Sequence, residues 1–338
     1  MMRVLVTGGA GYIGSHTAKA LALTGIEPVV FDNLSTGHRW AVRWGPFIEG
    51  NLADGVALRR ALSTHRIEAV VHFAASAYVG DSMVDPRKYY ENNVASSLSL
   101  LGAMLDVGVN VIVFSSTCAT YGVPEINPIP EGHPQRPINP YGETKLAVER
   151  MLDWYGRAYQ IRWAALRYFN AAGADPDGEI GAEHDPETRL IPLVIQAALG
   201  QRASVEIYGT DYPTPDGTAV RDYVHVTDLA DAHVQALRYL QRGGDSIALN
   251  LGTGQGHSVR EVVNAITRMG GRPLSVREVA SRPGDPPILV GDPRRAADTL
   301  GWRPRYSDLD SIVETAWRWR AVRNAPAPAS PAHSLAVK

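Results

Sequence analysis

The stretch Asn139-Pro-Tyr-Gly-Glu-Thr-Lys-Leu-Ala-Val-Glu149 sets a tyrosine and a lysine four residues apart in what reads as the opening turns of a helix. That spacing puts both side chains on one face, one turn apart. On a solvated face the pair is filler. In a cleft it is a phenol beside a fixed positive charge. A free phenol titrates near pH ~10. An ammonium neighbour stabilises the phenolate, so Tyr141, with Lys145 beside it, could exchange protons near neutral pH. The chain has 14 tyrosines but only four lysines, Lys19, Lys88, Lys145 and Lys338. The pairing is therefore suggestive, and the spacing alone does not decide between the two roles.

A second group of residues has the chemistry of binding. Thr7-Gly-Gly-Ala-Gly-Tyr-Ile-Gly-Ser15 follows a strand-like run and opens a helical one. It contains Gly9-x-Gly11-x-x-Gly14 and equally Gly8-x-x-Gly11-x-x-Gly14. One glycine permits the tight turn and another lets backbone N–H groups approach a pyrophosphate. The last lets helix and strand pack closely, with the helix N-terminus facing the anion. Asp32 ends the next strand-like run. A carboxylate there accepts from a ribose diol and repels a 2′-phosphate, which favours NAD over NADP.

The elements that must carry these residues alternate. Strand candidates are 3–7, 28–32, 46–50, 69–74, 110–116 and 163–169, near-continuously apolar as strands buried on both faces should be. Helical patterns lie near 14–24, 54–65, 87–107 and 141–159. The pattern predicts an α/β fold, a Rossmann-type doubly wound parallel sheet. Residues 171–189 read as a long polar loop, followed by a helix near 190–200, a strand near 204–208 and the strand-like VRDYVHV at 220–226. A helix at 227–241 and a strand at 247–251 could rejoin the sheet. We therefore expect a nucleotide-binding domain over 1–170, rejoined by about 224–255, and a smaller mixed α/β substrate domain from 171–223 and 256–322. Residues 324–338, rich in Ala, Pro and Ser, read as a disordered tail.

Composition excludes several classes. A net charge of −2 carries no footprint for nucleic acid or an anionic membrane surface. No apolar run approaches ~18 residues, so no membrane partner is expected. The single Cys118 fits a reducing cytoplasm and forbids an internal disulfide. Ten histidines invite a metal site, but none shows a common ligand spacing, so no metal is expected. Ser115 and Ser116 lie in no nucleophile elbow.

With the glycine loop in place, Phe114-Ser-Ser-Thr-Cys-Ala-Thr-Tyr-Gly122 supplies a hydroxyl, Thr117, after the fifth strand. A hydroxyl there with Tyr-x-x-x-Lys on the next helix resembles the extended branch of the short-chain dehydrogenase/reductase superfamily. "TGGAGYIGSHT" at 7–17, "YYENNV" at 89–94, "RYFNAAGA" at 167–174 and "DYPTPDGTAVRDYVHVTDLADAH" at 211–233 narrow the likeness to the UDP-glucose 4-epimerase family, over residues 2–320. The resemblance implies an isomerase with bound NAD and a UDP-sugar partner. Tyr141 is then the acid–base group. Lys145 binds the nicotinamide ribose and lowers the phenol pKa, and Thr117 bonds the sugar O4. C4 is oxidised, the 4-keto sugar turns over, and hydride returns to the opposite face.

The same likeness assigns contacts. Cofactor contacts fall on Gly8, Gly11, Tyr12, Ile13 and Gly14 of the loop, and on Asp32, Asn33, Asn51 and Leu52 beyond it. Others are Phe73, Ala74, Asn92, Ser115 and Tyr168, besides Tyr141 and Lys145. On the substrate side, Asn170 and Arg221 face the diphosphate, with Arg282 and Asp285 of "RPGD" toward diphosphate and uridine. Phe169 lies near the sugar, and Arg189, Leu190, Tyr208 and Tyr223 complete the set with Leu289.

Four positions depart from the family pattern. Asn51 stands for an aspartate, Ala77 for a lysine in some members, Arg189 for an asparagine, and Leu289 for a bulky tyrosine. The smaller Leu289 suggests room for N-acetylated sugars. Alternatives are a 4-epimerase of UDP-N-acetylglucosamine or a UDP-pentose, a sugar-nucleotide dehydratase, and a non-catalytic NAD sensor. The likeness also implies a homodimer through the helices near 87–107 and 141–159.

Overall fold

The computed structural model describes residues 1–282 and 285–323. The tail at 324–338 and the Pro283-Gly284 centre of the "RPGD" stretch lie outside the described residues. The first half alternates strand and helix. It runs β1 (Arg3–Thr7), α1 (Tyr12–Leu23), β2 (Glu27–Asp32), β3 (Phe47–Glu49), α2 (Gly55–Thr64) and β4 (Ala69–His72). Next come α3 (Val79–Val84), α4 (Pro86–Tyr89), a π-helical turn Tyr90–Ala95, and α5 (Ser96–Val107). Then follow β5 (Val111–Thr117), α6 (Pro140–Tyr159) and β6 (Arg162–Tyr168).

Seven strands form one sheet in the order β11-β6-β5-β4-β1-β2-β3, where β11 is Ile247–Leu251. Every pairing is parallel. The two-residue period of a strand explains the layers. Val4, Val6, Val71, Val113 and Leu166 face one apolar cluster, which contains Leu21 of α1 and Leu229 to Leu240 of α8 (Val226–Gln241). Leu5, Val70, Ile112, Phe114 and Ala165 face the other, with Leu58 and Leu62 of α2, Met104 of α5, and Val148 and Leu152 of α6. Full burial of each such leucine or valine is worth about 1.5–3 kcal/mol relative to exposure. Strand order reverses between β1 and β4, and open α/β sheets bind ligands at the carboxyl ends beside such a switch point.

The rest of the chain builds β7 (Asn170–Ala172), α7 (Leu190–Ala198), β8 (Val205–Tyr208), β9 (Val220–Arg221) and β10 (Tyr223–His225), which leads into α8. After β11 come β12 (His257–Ser258), α9 (Val259–Gly270), β13 (Val276–Val279), β14 (Ile288–Leu289), α10 (Arg294–Leu300) and α11 (Leu309–Arg323). Helices α7, α9 and α11 share a third apolar cluster, including Ile195, Ile266 and Ile312.

Two expectations are corrected. The run 220–226 is not one strand: β9 joins β12 and β14, while β10 pairs with β7. Asp222 sits at the break, fully buried, and accepts from Thr253 N at 3.0 Å, Thr253 Oγ1 at 2.8 Å and Gly291 N at 3.1 Å. Its side chain is turned into those donors where the two ladders meet, and burial raises its pKa while the donors hold it down. Nor is 87–107 one regular helix. The π-helical turn adds a residue to one turn and rotates the following side chains.

Candidate active site

Three successive residues at the carboxyl end of β5 each engage one residue of α6. Lys145 Nζ donates to the Ser115 carbonyl oxygen at 2.8 Å. Ser116 Oγ donates to Glu149 Oε1 at 2.5 Å. The Thr117 hydroxyl lies beside the Tyr141 phenol and favours its ionised form. Local sequence sets up this docking. Asn139 caps α6 by accepting from Gly142 N at 2.8 Å, and Pro140 occupies the first turn, where its missing N–H costs nothing. Gly142 lets the helix approach the turn Cys118–Thr120: a Cβ there would lie 2.5 Å from the Ala119 oxygen.

Burial dominates the electrostatics. The Tyr141 phenol is pushed up to about 12 by desolvation, against the hydrogen bond from Thr117. Lys145, 3% exposed, is brought down to about 7 by desolvation, against the Glu149 carboxylate. Sequence spacing led us to expect a phenol already lowered by its lysine. In this structure the ammonium is directed at the Ser115 carbonyl and over the Phe114 ring at 4.9 Å, and desolvation prevails at Tyr141.

The loop between β1 and α1 forms a cradle. Gly8 has φ +71° and donates to the Phe31 oxygen at 2.9 Å. A Cβ on Gly14 would meet the Gly8 oxygen at 2.2 Å, and one on Gly8 would meet Ala74 N at 2.6 Å. Gly11 is the N-cap of α1 and offers no side-chain cap, so the first-turn N–H groups beyond it, from Tyr12 and Ile13 to Gly14, are available to an anion. Asp32, 6% exposed, accepts from Ala10 N at 2.9 Å and Leu34 N at 2.8 Å. Burial raises its pKa, while those N–H groups hold it down. A tight cradle, an uncapped helix start and a fixed carboxylate at the end of β2 fit a dinucleotide.

Other expected cofactor residues are distributed around it. Asn33 is exposed, and its side-chain oxygen accepts from Ser35 N at 3.0 Å. The Asn51 oxygen already accepts from Ala53 N at 2.9 Å, so any adenine bond would be its second. Leu52 is buried. Phe73 packs on His233, with centroids 4.6 Å apart, and Tyr168 shares a short hydrogen bond with Ser115 Oγ. Asn92 donates to Ser76 Oγ at 3.1 Å. Its neighbour Asn93, which sequence reasoning did not single out, is the buried one. It donates to Ser76 O and to Thr144 Oγ1, each at 3.0 Å, tying the segment after β4 to α6.

On the opposite side, Asn170 donates from N and from Nδ2 to the Asp222 oxygen, at 3.0 and 3.2 Å. Arg221 pairs with Asp285 at 2.7 Å, and the Arg282 guanidinium lies 3.9 Å over the Tyr208 ring. Phe169 packs with Tyr121, Ile129, Cys118 and Leu289. Tyr223, 6% exposed, belongs to the apolar cluster with α7, against which Leu190 also packs. Arg189 is bound to Glu187 at 2.8 Å and to His184 at 2.6 Å, and stacks over Tyr12 at 5.1 Å, so it borders the glycine loop.

Segment 173–187 closes the outer side of the cradle. Tyr12 Oη donates to the Gly173 oxygen at 2.6 Å, and a ring nitrogen of His38 bonds the Glu183 oxygen at 2.9 Å. Asp175, Asp177 and Glu179 converge as a possible cation site, but Lys19 Nζ occupies their centre at 2.7–2.9 Å from each. Sequence reading passed over Lys19, Glu149, Arg167 and Asp222. Arg167, inside an otherwise apolar strand, was the readable signal, because a charge buried in a sheet demands a partner.

The family model described as the NAD dependent epimerase/dehydratase family matches residues 4–252. A UDP-glucose 4-epimerase of Rhizobium leguminosarum bv. trifolii is 54% identical over 321 residues, 95% of this chain and 98% of its own length. The crystal structure of UDP-glucose 4-epimerase from Brucella ovis in complex with NAD is 56% identical. It superposes with a TM-score of 0.92 over 94% of this chain and 98% of that one. The enzyme of Bifidobacterium longum in complex with NAD+ and UDP is 35% identical, with a TM-score of 0.90 over 95% and 98%.

Proposed function

The chain belongs to the NAD dependent epimerase/dehydratase family, and on that premise we propose that it inverts C4 of a UDP-hexose, interconverting UDP-galactose and UDP-glucose with bound NAD+. The observation that carries this reading is the docking of Tyr141, Lys145 and Thr117 between α6 and the end of β5. NAD supplies the acceptor and later the donor of the hydride at C4. Thr117 hydrogen-bonds the sugar O4 and Tyr141 takes its proton, returning it once the 4-keto sugar has turned over. At about 12 the phenol is protonated at neutral pH. It therefore serves as a base only when cationic surroundings bring it down, and Lys145 supplies part of that charge.

The hexose must turn while the nucleotide stays held, so binding energy has to come from the UDP end. Arg221, Arg282, Asp285 and Asn170 are our candidates for that grip, with guanidinium forks suited to phosphate oxygens. A second reading extends the substrates to UDP-N-acetylglucosamine, favoured by the modest wall that Leu289 makes against Phe169. We further place the enzyme in the cytoplasm, since its single cysteine suits a reducing compartment. No described helix is long and apolar enough to cross a membrane. We take it as a homodimer through α5 and α6, where Leu98 and Trp154 are 48% and 66% exposed.

The test is to incubate the purified protein with UDP-galactose, adding no NAD, and to identify the product. UDP-glucose should form. An unchanged substrate pool, with or without added NAD, would refute the assignment.

A further inference from the structure

Tyr141, Lys145 and Glu149 stand at intervals of four along α6, and the third has no part in the reaction as described. Glu149 is 6% exposed, yet both of its oxygens are occupied. Oε1 accepts from Ser116 Oγ at 2.5 Å and Arg167 Nε at 3.0 Å. Oε2 accepts from a terminal nitrogen of Arg167 at 2.6 Å and from Gln135 Nε2 at 3.2 Å. Arg167, 5% exposed, also donates to Tyr121 Oη at 2.9 Å and to the Glu131 oxygen at 3.3 Å. A buried ion pair is weak evidence for stability, because apolar packing often does as well. Its place on this face of α6 therefore calls for another explanation.

We propose that Glu149 is a positioning residue for the reaction: its buried carboxylate, one helical turn beyond Lys145, supports that side chain as an ammonium, while Ser116 and Arg167 hold the carboxylate in place. The inference rests on Lys145 belonging to the catalytic set as read above.

The groups around Lys145 support it. From β4 comes His72, held neutral by burial between Thr7 Oγ1 at 2.7 Å and Ser97 Oγ at 2.9 Å. From β5 come the Ser115 carbonyl and the Phe114 ring. From β6 come Tyr168, bonded to Ser115, and Arg167, whose charge is directed at Glu149. From α6 itself come Tyr141 and Glu149. Glu149 is the only anion among these. Burial drives an ammonium toward the neutral amine, and lysine yields readily. A nearby carboxylate opposes this, so removing it lowers the midpoint and leaves more neutral lysine at pH 7–8.

With only four lysines, protein carrying 13C at lysine Cε gives four assignable signals, Lys145 being the one lost in K145R. These are titrated from pH 5 to 11 in the wild type, E149Q and S116A. In E149Q the Lys145 midpoint falls by about 1 pH unit or more, and the alkaline limb of kcat on UDP-galactose moves the same way. S116A, which removes a hydrogen bond but no charge, moves both much less. E149Q leaves a guanidinium unpartnered in the interior, so E149Q/R167Q is run beside it and shows a fall in the same direction, smaller because a cation has gone with the anion. A Lys145 midpoint equal to wild type in both variants overturns the inference. So does a loss of melting temperature and kcat with the midpoint and the limb unmoved, which is the signature of a merely structural pair. Absence of turnover by the wild type falls on the proposed function instead, and the titration still decides the role of Glu149.

Discussion

Lys145 donates a hydrogen bond to the main-chain oxygen of Ser115, 2.8 Å away and two residues before Thr117. The bond pins α6 to β5 at the level where the strand presents its hydroxyl. Phenol, ammonium and hydroxyl are thereby fixed relative to one another by backbone and helix geometry. Preorganisation of this kind is where an enzyme gains most for groups that must act together.

Tyr141→Phe keeps the ring and loses the proton carrier. We expect the purified variant to contain as much NAD as the wild type, measured after acid release. Epimerisation should fall by about 10²–10⁴-fold, the usual worth of a positioned acid–base group. An unchanged rate would remove Tyr141 as the base.

Arg221 pairs with Asp285 at 2.7 Å, and its side chain is 13% exposed. If the guanidinium serves the diphosphate, Arg221→Ala raises KM for UDP-galactose by roughly 10–100-fold, the loss of a hydrogen bond to a charged group. kcat should change far less. Lysine should rescue poorly, because an ammonium lacks the fork. A variant with normal KM and depressed kcat would contradict the assignment.

Leu289 contributes to the wall around Phe169. Leu289→Tyr adds bulk there. The ratio of kcat/KM for UDP-N-acetylglucosamine to that for UDP-glucose should fall by about tenfold or more, since steric exclusion works against the larger sugar. Wild-type protein that turns over UDP-glucose but no N-acetylated substrate would end this reading.

His16, His72, His225 and His233 are buried, and desolvation is the leading cause that lowers each, to about 3, 3, 4 and 4. Their unfolded pKa is near ~6.5. Between those values the unfolded chain binds more protons, so stability is full above pH ~6.5 and lost as pH falls toward 4. The melting temperature should be flat from pH 7 to 8 and drop steeply from 6.5 to 4.5, measured by circular dichroism. A flat profile through pH 5 would show that these rings are hydrated in solution.

Much of this protein was already present in its residue order. Apolar runs and the glycine loop determine a parallel sheet with a nucleotide cradle, because strand burial and tight turns are local requirements that local sequence must satisfy. The four-residue spacing determines that Tyr141 and Lys145 share a helix face. Which acceptor the ammonium finds, that the phenol is raised and not lowered, that Arg189 borders the glycine loop and Tyr223 joins an apolar core, and that Glu149 meets Arg167 were decided only by tertiary packing. Those outcomes depend on which groups desolvate one another across the sheet, and chain separations such as the 18 residues from Glu149 to Arg167 or the 52 from Asn170 to Asp222 carry no trace of that proximity.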